Sequence, residues 1–363
     1  MNDRVNNLLK KLKSENIDSV FITSKENVFY FSSLYANAHE RLIACYFDQE
    51  GRELLIVPAL ELGDVKKSGW QGDVISYFDH ENPWDQFKSF LQDNHNIQSM
   101  AIEKDDMNVR RFESLKTYFA NLNIVDGQEL LNEIRVIKDD KEYEILLEAA
   151  EYADFAIETA LNYIQEGKSE LEVIAEIEYA LKKKGIQSMS FPTTLLTGVK
   201  SALPHGNPDH TKIQKGDFVL IDLGVVYKGY CSDITRTFVL GNASSKQKEI
   251  YNIVLEAELA AINASQVGTP LSEIDRVARE VIEKAGYGEY FPHRIGHGLG
   301  INVHEYPSLA SNNHSPLQVG MCFTIEPGIY LPDVGGVRIE DDVFIKNDGP
   351  VTLTKFTKDL IEL

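Results

Sequence analysis

Cysteine is scarce. The 363-residue chain has three, Cys45, Cys231 and Cys322, odd in number, far apart and without a C-x-x-C pair. That argues against a disulfide framework and a thiolate metal site, and fits a reducing cytoplasm. Long apolar runs are missing too. The most apolar stretch, FVLIDLGVVY (218–227), is far too short to cross a bilayer and carries Asp222. The opening MNDRVNNLLKKLKSENIDSV reads as an amphipathic helix leading to a strand, and it lacks the apolar h-region of a secretory signal. Positive charge is in deficit, with 36 basic against 56 acidic residues and a net charge of −20, so neither nucleic acid nor an anionic membrane is expected as a partner. The acidic excess is concentrated beyond residue 125, where some carboxylates could be gathered for cations.

What is present is an ordinary globular composition, 43% hydrophobic and 25% charged, at a length comfortable for two domains. Residues 1–125 alternate short apolar runs (SVFIT, NVFYF, LIACYF, ELLIVP, SMAIE) with helical stretches at 85–93 and 108–120, the pattern of a small α/β domain. Residues 126–363 form the second domain. It opens with a long helical region, a linker helix followed by the domain's first helix.

This second domain repeats itself. EGKSELEVIAEIEYALKKKG has a Ser169–Glu172 capping box and ends on Gly185, 18 residues after Gly167. VGTPLSEIDRVAREVIEKAG starts at Thr269-Pro270 and ends on Gly286, again 18 residues after Gly268. KGDFVLID and VGMCFTIE each place a carboxylate six residues after a glycine at a strand end, so Asp222 corresponds to Glu326. His205 precedes the first strand and His304 the second; Asp233 and Glu340 follow them. Two facing halves of this kind would bring all these groups to a shared axis.

HRIGHGLGINVHEYP (293–307) packs His293, His297 and His304 between glycines. By itself this could be a His-rich polar loop or a site where glycine admits close backbone approach. The oxygen donors decide the matter. FVLIDLGVVYKGYCSDITRTFVL reads as a hairpin with Lys228-Gly229 as turn signal, and a turn centred between Tyr227 and Lys228 would set Asp222 directly opposite Asp233 on the inward face. Two buried carboxylates so placed repel unless a cation lies between them. In GGVRIEDDVFI, Arg338, Glu340 and Asp342 share one face, and Glu326 closes the run CFTIE before a Pro-Gly turn. The candidate ligands are therefore Asp222, Asp233, His297, Glu326 and Glu340. Four carboxylates and one imidazole suit Mn, Co, Fe or Zn, and a charge of −4 balances two divalent ions.

The segments HRIGHGLGINVHE, IDLG…CSDITR, TIEPGIY and GGVRIED resemble those of the pita-bread metallopeptidases, which include methionine aminopeptidase, aminopeptidase P and prolidase. The match runs over about 135–363, all five ligand positions are filled, and residues 1–125 resemble the creatinase-type domain of the proline-specific members. The resemblance implies an α/β (α+β) fold: a creatinase-like α/β domain followed by a pita-bread domain with an internal pseudo-twofold repeat. It implies a dinuclear metallopeptidase that hydrolyses Xaa-Pro bonds, in dipeptides as a prolidase does or in longer peptides as aminopeptidase P does. Creatinase and the non-catalytic pita-bread binding modules lack the intact ligand set found here.

By that resemblance Asp222 would bind one ion through both oxygens. Asp233 and Glu340 would bridge the pair, and His297 and Glu326 would complete the other ion's shell. A water between two Mn2+ ions (Co2+, Fe2+ or Zn2+ in their place) would attack the scissile carbonyl. Glu326 would shuttle the proton, and His205 and His304 would flank the substrate. His293 would lie near the proline side with Arg338 beside the ligands. Arg294 would hold a substrate carboxylate, or else be plain surface. Phe191, Tyr230 and Tyr330 are candidates for a proline slot and equally consistent with core packing. A small peptide substrate and a homodimer are implied, and His39 would either reach a partner subunit's site or lie in an exposed loop. His210 and His314 read as surface.

Overall fold

The computed structural model describes residues 3–37, 39–92 and 97–363. The first two residues of the expected N-terminal helix and residue 93 of the expected helix 85–93 lie outside the described residues. The chain divides into two compact units, the first ending at Arg135 and the second starting at Val136.

The first unit runs α1 (Asp3–Ser14), β1 (Ser19–Ile22), α2 (Lys25–Ser32), β2 (Ala44–Asp48), β3 (Glu53–Pro58), α3 (Leu62–Ser68), β4 (Asp73–Tyr77), α4 (Pro83–Gln92), β5 (Ser99–Ile102), α5 (Val109–Tyr118), β6 (Asn123–Asp126) and α6 (Gln128–Arg135). Its six strands form one mixed sheet in the order β4-β3-β2-β1-β5-β6. Phe21, Tyr46, Trp84 and Phe87 lie at the centre of its core. One apolar run departs from the sequence pattern. NVFYF is not a strand but the body of α2, because Ser24 caps the helix by accepting from Asn27 N and the buried Glu103 carboxylate accepts from Thr23 N and Ser24 N. An anion held at the first turn outweighs the β-propensity of Val and Phe.

The second unit runs α7 (Asp140–Leu161), α8 (Glu170–Lys183), β7 (Ser188–Met189), β8 (Thr194–Thr197), β9 (Phe218–Leu223), β10 (Val225–Tyr227), β11 (Tyr230–Cys231), β12 (Ile234–Val239), α9 (Ser245–Ala264), α10 (Leu271–Lys284), β13 (Gly296–Gly298), β14 (Glu305–Leu309), β15 (Cys322–Ile325), β16 (Gly328–Leu331), β17 (Gly335–Arg338), β18 (Asp341–Lys346) and β19 (Gly349–Thr352). The repeat is built into its hydrogen bonds. Gly167 N donates to Ile213 O and Glu170 N to Thr211 O; in the second half Gly268 N donates to Leu317 O and Leu271 N to Ser315 O. Each helix-start segment is thereby stitched to the segment before the middle strand of its sheet, β9 or β15, with Ser169 facing Lys212 and Pro270 facing Pro316. The Ser169–Glu172 capping box is present, and α8 and α10 are both 14 residues long. The first half's sheet has the order β12-β9-β8 and the second's β14-β13-β15-β18-β19. An isolated bridge between Thr235 in β12 and Glu340, just before β18, joins the halves.

Candidate metal centre

The hairpin after β9 turns at Lys228 and Gly229, both with positive φ (48° and 86°), the backbone of a tight two-residue turn. Tyr227 therefore faces Tyr230, and Asp222 faces Thr235 rather than Asp233. The turn centre lies one residue further along than expected, which moves the partner by two. Asp233 lies on the same side as Thr235, where the hairpin breaks between β11 and β12. Glycine is required at position 224, since a Cβ there would collide with Ser232 O.

Thr235 is the residue that the wrong register hid. Its Oγ1 donates to Glu340 Oε2 at 2.6 Å and accepts from Arg338 Nε at 3.0 Å, while its carbonyl accepts from Glu340 N at 3.1 Å. The alternation Asp233, Thr235, Thr237 along one strand face was the available signal. Arg338, 4% exposed, extends Nη2 to Asp222 Oδ2 at 2.5 Å and Nη1 to Tyr330 Oη at 3.0 Å. Asp233 N donates to Asp342 Oδ2 at 3.1 Å.

His297 lies in β13 between two glycines. A Cβ at Gly296 would strike Thr324 O and one at Gly298 would strike Tyr306 O, so glycine lets β13 press between β14 and β15. The His297 amide donates to Thr324 Oγ1, and its Nδ1 lies 3.2 Å from Gly298 O. A carbonyl only accepts, so Nδ1 carries the proton and Nε2 presents a lone pair to the carboxylates. That Nε2 is 3.5 Å from Glu326 Oε1 and 3.7 Å from Asp233 Oδ2. Ligand atoms of Asp233, His297 and Glu340 all lie within 4.8 Å of one another.

These groups are electrostatically unsettled. Burial, reinforced by Glu340 and Asp222, pushes the Asp233 carboxyl well above its ordinary range, and burial with Glu326 and Asp222 does the same to Glu340. Burial also raises Asp222, against the pull of Arg338, and lifts Glu326 to about 7. His297 is lowered by burial to about 3, so it is neutral and able to ligate. Asp222 Oδ1 and Asp233 Oδ1 are buried without a hydrogen-bond partner. Orphaned carboxylate oxygens beside a neutral imidazole fit a divalent cation: the chain alone leaves these lone pairs unmatched, and a cation satisfies them.

The ligands floor a cleft of about 490 Å³ whose lining includes Phe191, His205, His293, Arg294, His304 and Tyr330. His205 is exposed, and His304 stands at the mouth with its ring 4.1 Å from that of His297. His293 faces inward: its Nδ1 lies 2.9 Å from Arg294 O and its Nε2 2.9 Å from Tyr330 Oη. Arg338, Tyr330 and His293 thus form one directed chain, each donating to the next, and burial lowers His293 to about 4. Arg294 is exposed, with Nη1 on Ser308 Oγ at 3.1 Å. Tyr230 is outside the cleft, buried with its hydroxyl on Glu142 Oε1 at 2.8 Å, so of the three aromatic candidates only Phe191 and Tyr330 line it. His39 is exposed in the first unit at φ 51°, and His210 and His314 are exposed. Cys45, Cys231 and Cys322 are buried and not joined to one another by a disulfide, and no helix is long and apolar enough to cross a membrane among the described residues.

Comparison with known proteins gives two family matches: residues 4–137 match the creatinase/prolidase N-terminal domain and residues 144–347 match metallopeptidase family M24. YkvY of Bacillus subtilis (strain 168), named as a candidate dipeptidase, is 50% identical over 99% of this chain and 100% of its own. Among solved structures, an Xaa-Pro dipeptidase from Bacillus anthracis superposes with a TM-score of 0.93 at 36% identity, covering 99% of both chains. A prolidase from Pyrococcus horikoshii OT3 does so with 0.91 at 38% identity, covering 99% of this chain and 100% of that one.

Proposed function

The chain belongs to metallopeptidase family M24, and from that premise we propose that it hydrolyses Xaa-Pro bonds in a metal-dependent reaction, with Xaa-Pro dipeptides as substrates. One observation carries the reading. A single cleft has a carboxylate–imidazole floor, aromatic rings at Phe191 and Tyr330, and the exposed cation Arg294 at its rim. An Xaa-Pro bond is a tertiary amide with no N–H to recognise, so an apolar slot for the ring and an anchor for the free carboxylate are the handles available. The names of the Bacillus anthracis and Pyrococcus horikoshii structures agree with this substrate class.

Asp222, Asp233, His297, Glu326 and Glu340 would hold two divalent ions, with manganese our first choice and cobalt, iron or zinc compatible with the same donors. The charge balance supports two, on a different count from the carboxylates alone. Arg338 adds one positive charge to four carboxylates, and the net charge of −3 is more than one divalent ion would balance. Such ions supply Lewis acidity for water and for the scissile carbonyl.

The chain's own groups do the rest. Glu326, at the edge of the ligand set, would take up and return a proton at its carboxylate. His304 and His205 flank the substrate and donate to the oxygen on which charge develops. Arg338 fixes Asp222 from behind, and His293 buttresses Tyr330, which forms part of the slot wall. Arg294 binds the terminal carboxylate of the dipeptide.

The test is a substrate panel on chelated protein reloaded with Mn2+ or Co2+, comparing kcat/KM for Ala-Pro, Ala-Pro-Ala and Met-Ala-Ser. Activity restored by metal and strongest on Ala-Pro is the expected result. Preference for Ala-Pro-Ala makes the enzyme an aminopeptidase of the P type, and preference for Met-Ala-Ser removes proline specificity. Absence of activity at full metal loading leaves a binding module.

A further inference from the structure

Lys138 and Glu305 form an ion pair inside the second unit. Nζ lies 2.8 Å from Oε1, with the two side chains 1% and 9% exposed. Neither residue belongs to the ligand set or to the cleft lining, yet Glu305 directly follows His304. Stripping water from an ammonium and a carboxylate costs about what their attraction returns, so a buried pair is a poor device for stability and a better one for fixing position.

Its position is specific. The Lys138 amide donates to Gly320 O at 2.9 Å, tying the lysine to the turn that opens β15, the strand that ends at Glu326. At the other end, the Glu305 carboxylate closes over the loop 300–304. Oε2 accepts from Asn302 N at 3.3 Å, and a Cβ at Gly300 would collide with Oε1. Gly300 O in turn accepts from Cys231 N at 2.7 Å, two residues before Asp233. The loop is therefore pinned from both sides, and what it carries into the cleft is His304. No hydrogen bond to another described residue fixes the His304 ring itself, which rests against the ring of His297. Its placement comes from the loop.

We infer that Lys138 is a positioning residue: through Glu305 it locks the loop 300–305 so that His304 stands at the cleft mouth in register with the metal ligands. For activity this rests on the peptidase reading above; for loop order it does not. Lys138→Met leaves the carboxylate of Glu305 without its buried cation and frees the loop.

The experiment compares metal-loaded wild type and Lys138→Met, each with and without His304→Ala, on Ala-Pro. Displacement of a catalytic group by about an ångström costs roughly 10- to 100-fold, so kcat should fall by that much in Lys138→Met, with metal content and KM nearly unchanged. In the His304→Ala background the same substitution should change kcat less than threefold, because the group it positions is gone. A merely structural role would lower kcat equally in both backgrounds, which overturns the proposal, as does wild-type kcat in Lys138→Met. If Lys138→Met does not fold, Lys138→Met with Glu305→Gln, which buries no unpaired charge, carries the same comparison. Hydrogen exchange of the amides in 300–305 separates the two readings. If the wild type hydrolyses no peptide, the peptidase reading fails, and faster exchange in the variant still supports the pinning while unchanged exchange overturns it.

Discussion

Thr235 holds Glu340 twice, by its side-chain hydroxyl at 2.6 Å and by its backbone carbonyl at 3.1 Å. A residue from the first half of the repeat thus sets the orientation of a candidate ligand in the second. Thr235→Val keeps the shape and removes the hydroxyl, leaving Glu340 Oε2 and Arg338 Nε without that partner. Loss of a group that orients a metal ligand typically costs about 10- to 100-fold in metal affinity. Titration calorimetry with Mn2+ should show a drop of that size, restored by Thr235→Ser; an unchanged affinity would mean that Glu340 is oriented without the hydroxyl.

Acidity provides a second test. In the metal-free chain Asp233 and Glu340 are raised well above their ordinary values and Glu326 to about 7. The unfolded chain releases the same protons near pH 4 to 4.5. A carboxyl raised by folding binds its proton more tightly in the native state, so its contribution to stability is complete at low pH and is lost as pH rises through the folded value. His297 and His293, lowered to about 3 and 4, act oppositely, but only below about pH 6.5, where unfolded histidine is charged. Above about pH 6.5, up through the Glu326 value near 7, the carboxylates therefore dominate within the site. Tm in chelator should fall across that range and stay level with saturating Mn2+, and metal binding should release protons. A level Tm in chelator would show that the carboxylates are already ionised.

Asp233→Asn and His205→Ala should fail in different ways. The first removes a buried charge from the cluster and should lose metal, seen as reduced stoichiometry by elemental analysis. The second alters an exposed cleft residue and should keep full metal while kcat falls on the order of 10²- to 10⁴-fold, the usual cost of one acid–base or hydrogen-bonding group. His205→Ala with nearly full kcat would remove His205 from the reaction.

Arg294 tests the dipeptide assignment. Arg294→Ala should raise KM for Ala-Pro roughly 10- to 100-fold, the worth of a charge-assisted hydrogen bond, and leave KM for Ala-Pro-Ala within about threefold. Equal effects on both substrates would place the carboxylate anchor elsewhere.

The sequence showed the site more clearly than the frame around it, for a physical reason. Glycines at matching offsets, capping residues and carboxylates at strand ends are local signals, and Gly167, Gly216, Gly268 and Gly320 all take positive φ as their places in the repeat require. Register is not local in the same way. A hairpin read with its turn one residue off still put Asp222 and Asp233 on one face, yet concealed Thr235. The charge count missed Arg338 because its pairing with Asp222 spans 116 positions. NVFYF misled because the start of its helix is held by the carboxylate of Glu103, more than seventy residues away. Tyr230 could have been slot or core on composition alone, and only its bond to Glu142 decides it.

The bridge between Thr235 and Glu340 also bears on how the chain folds. Asp222 and Asp233 come from one half of the repeat; His297, Glu326 and Glu340 come from the other. Each half closes its own helix-to-sheet stitches over loops of about forty to fifty residues, whereas the bridge closes a loop of about a hundred, the kind of contact that forms more slowly. Ion binding then draws on the state in which both halves have docked, so added metal shifts the balance toward the docked chain by mass action. In a refolding experiment, the ion would act as a clasp that closes last and, once closed, holds the two halves against separation.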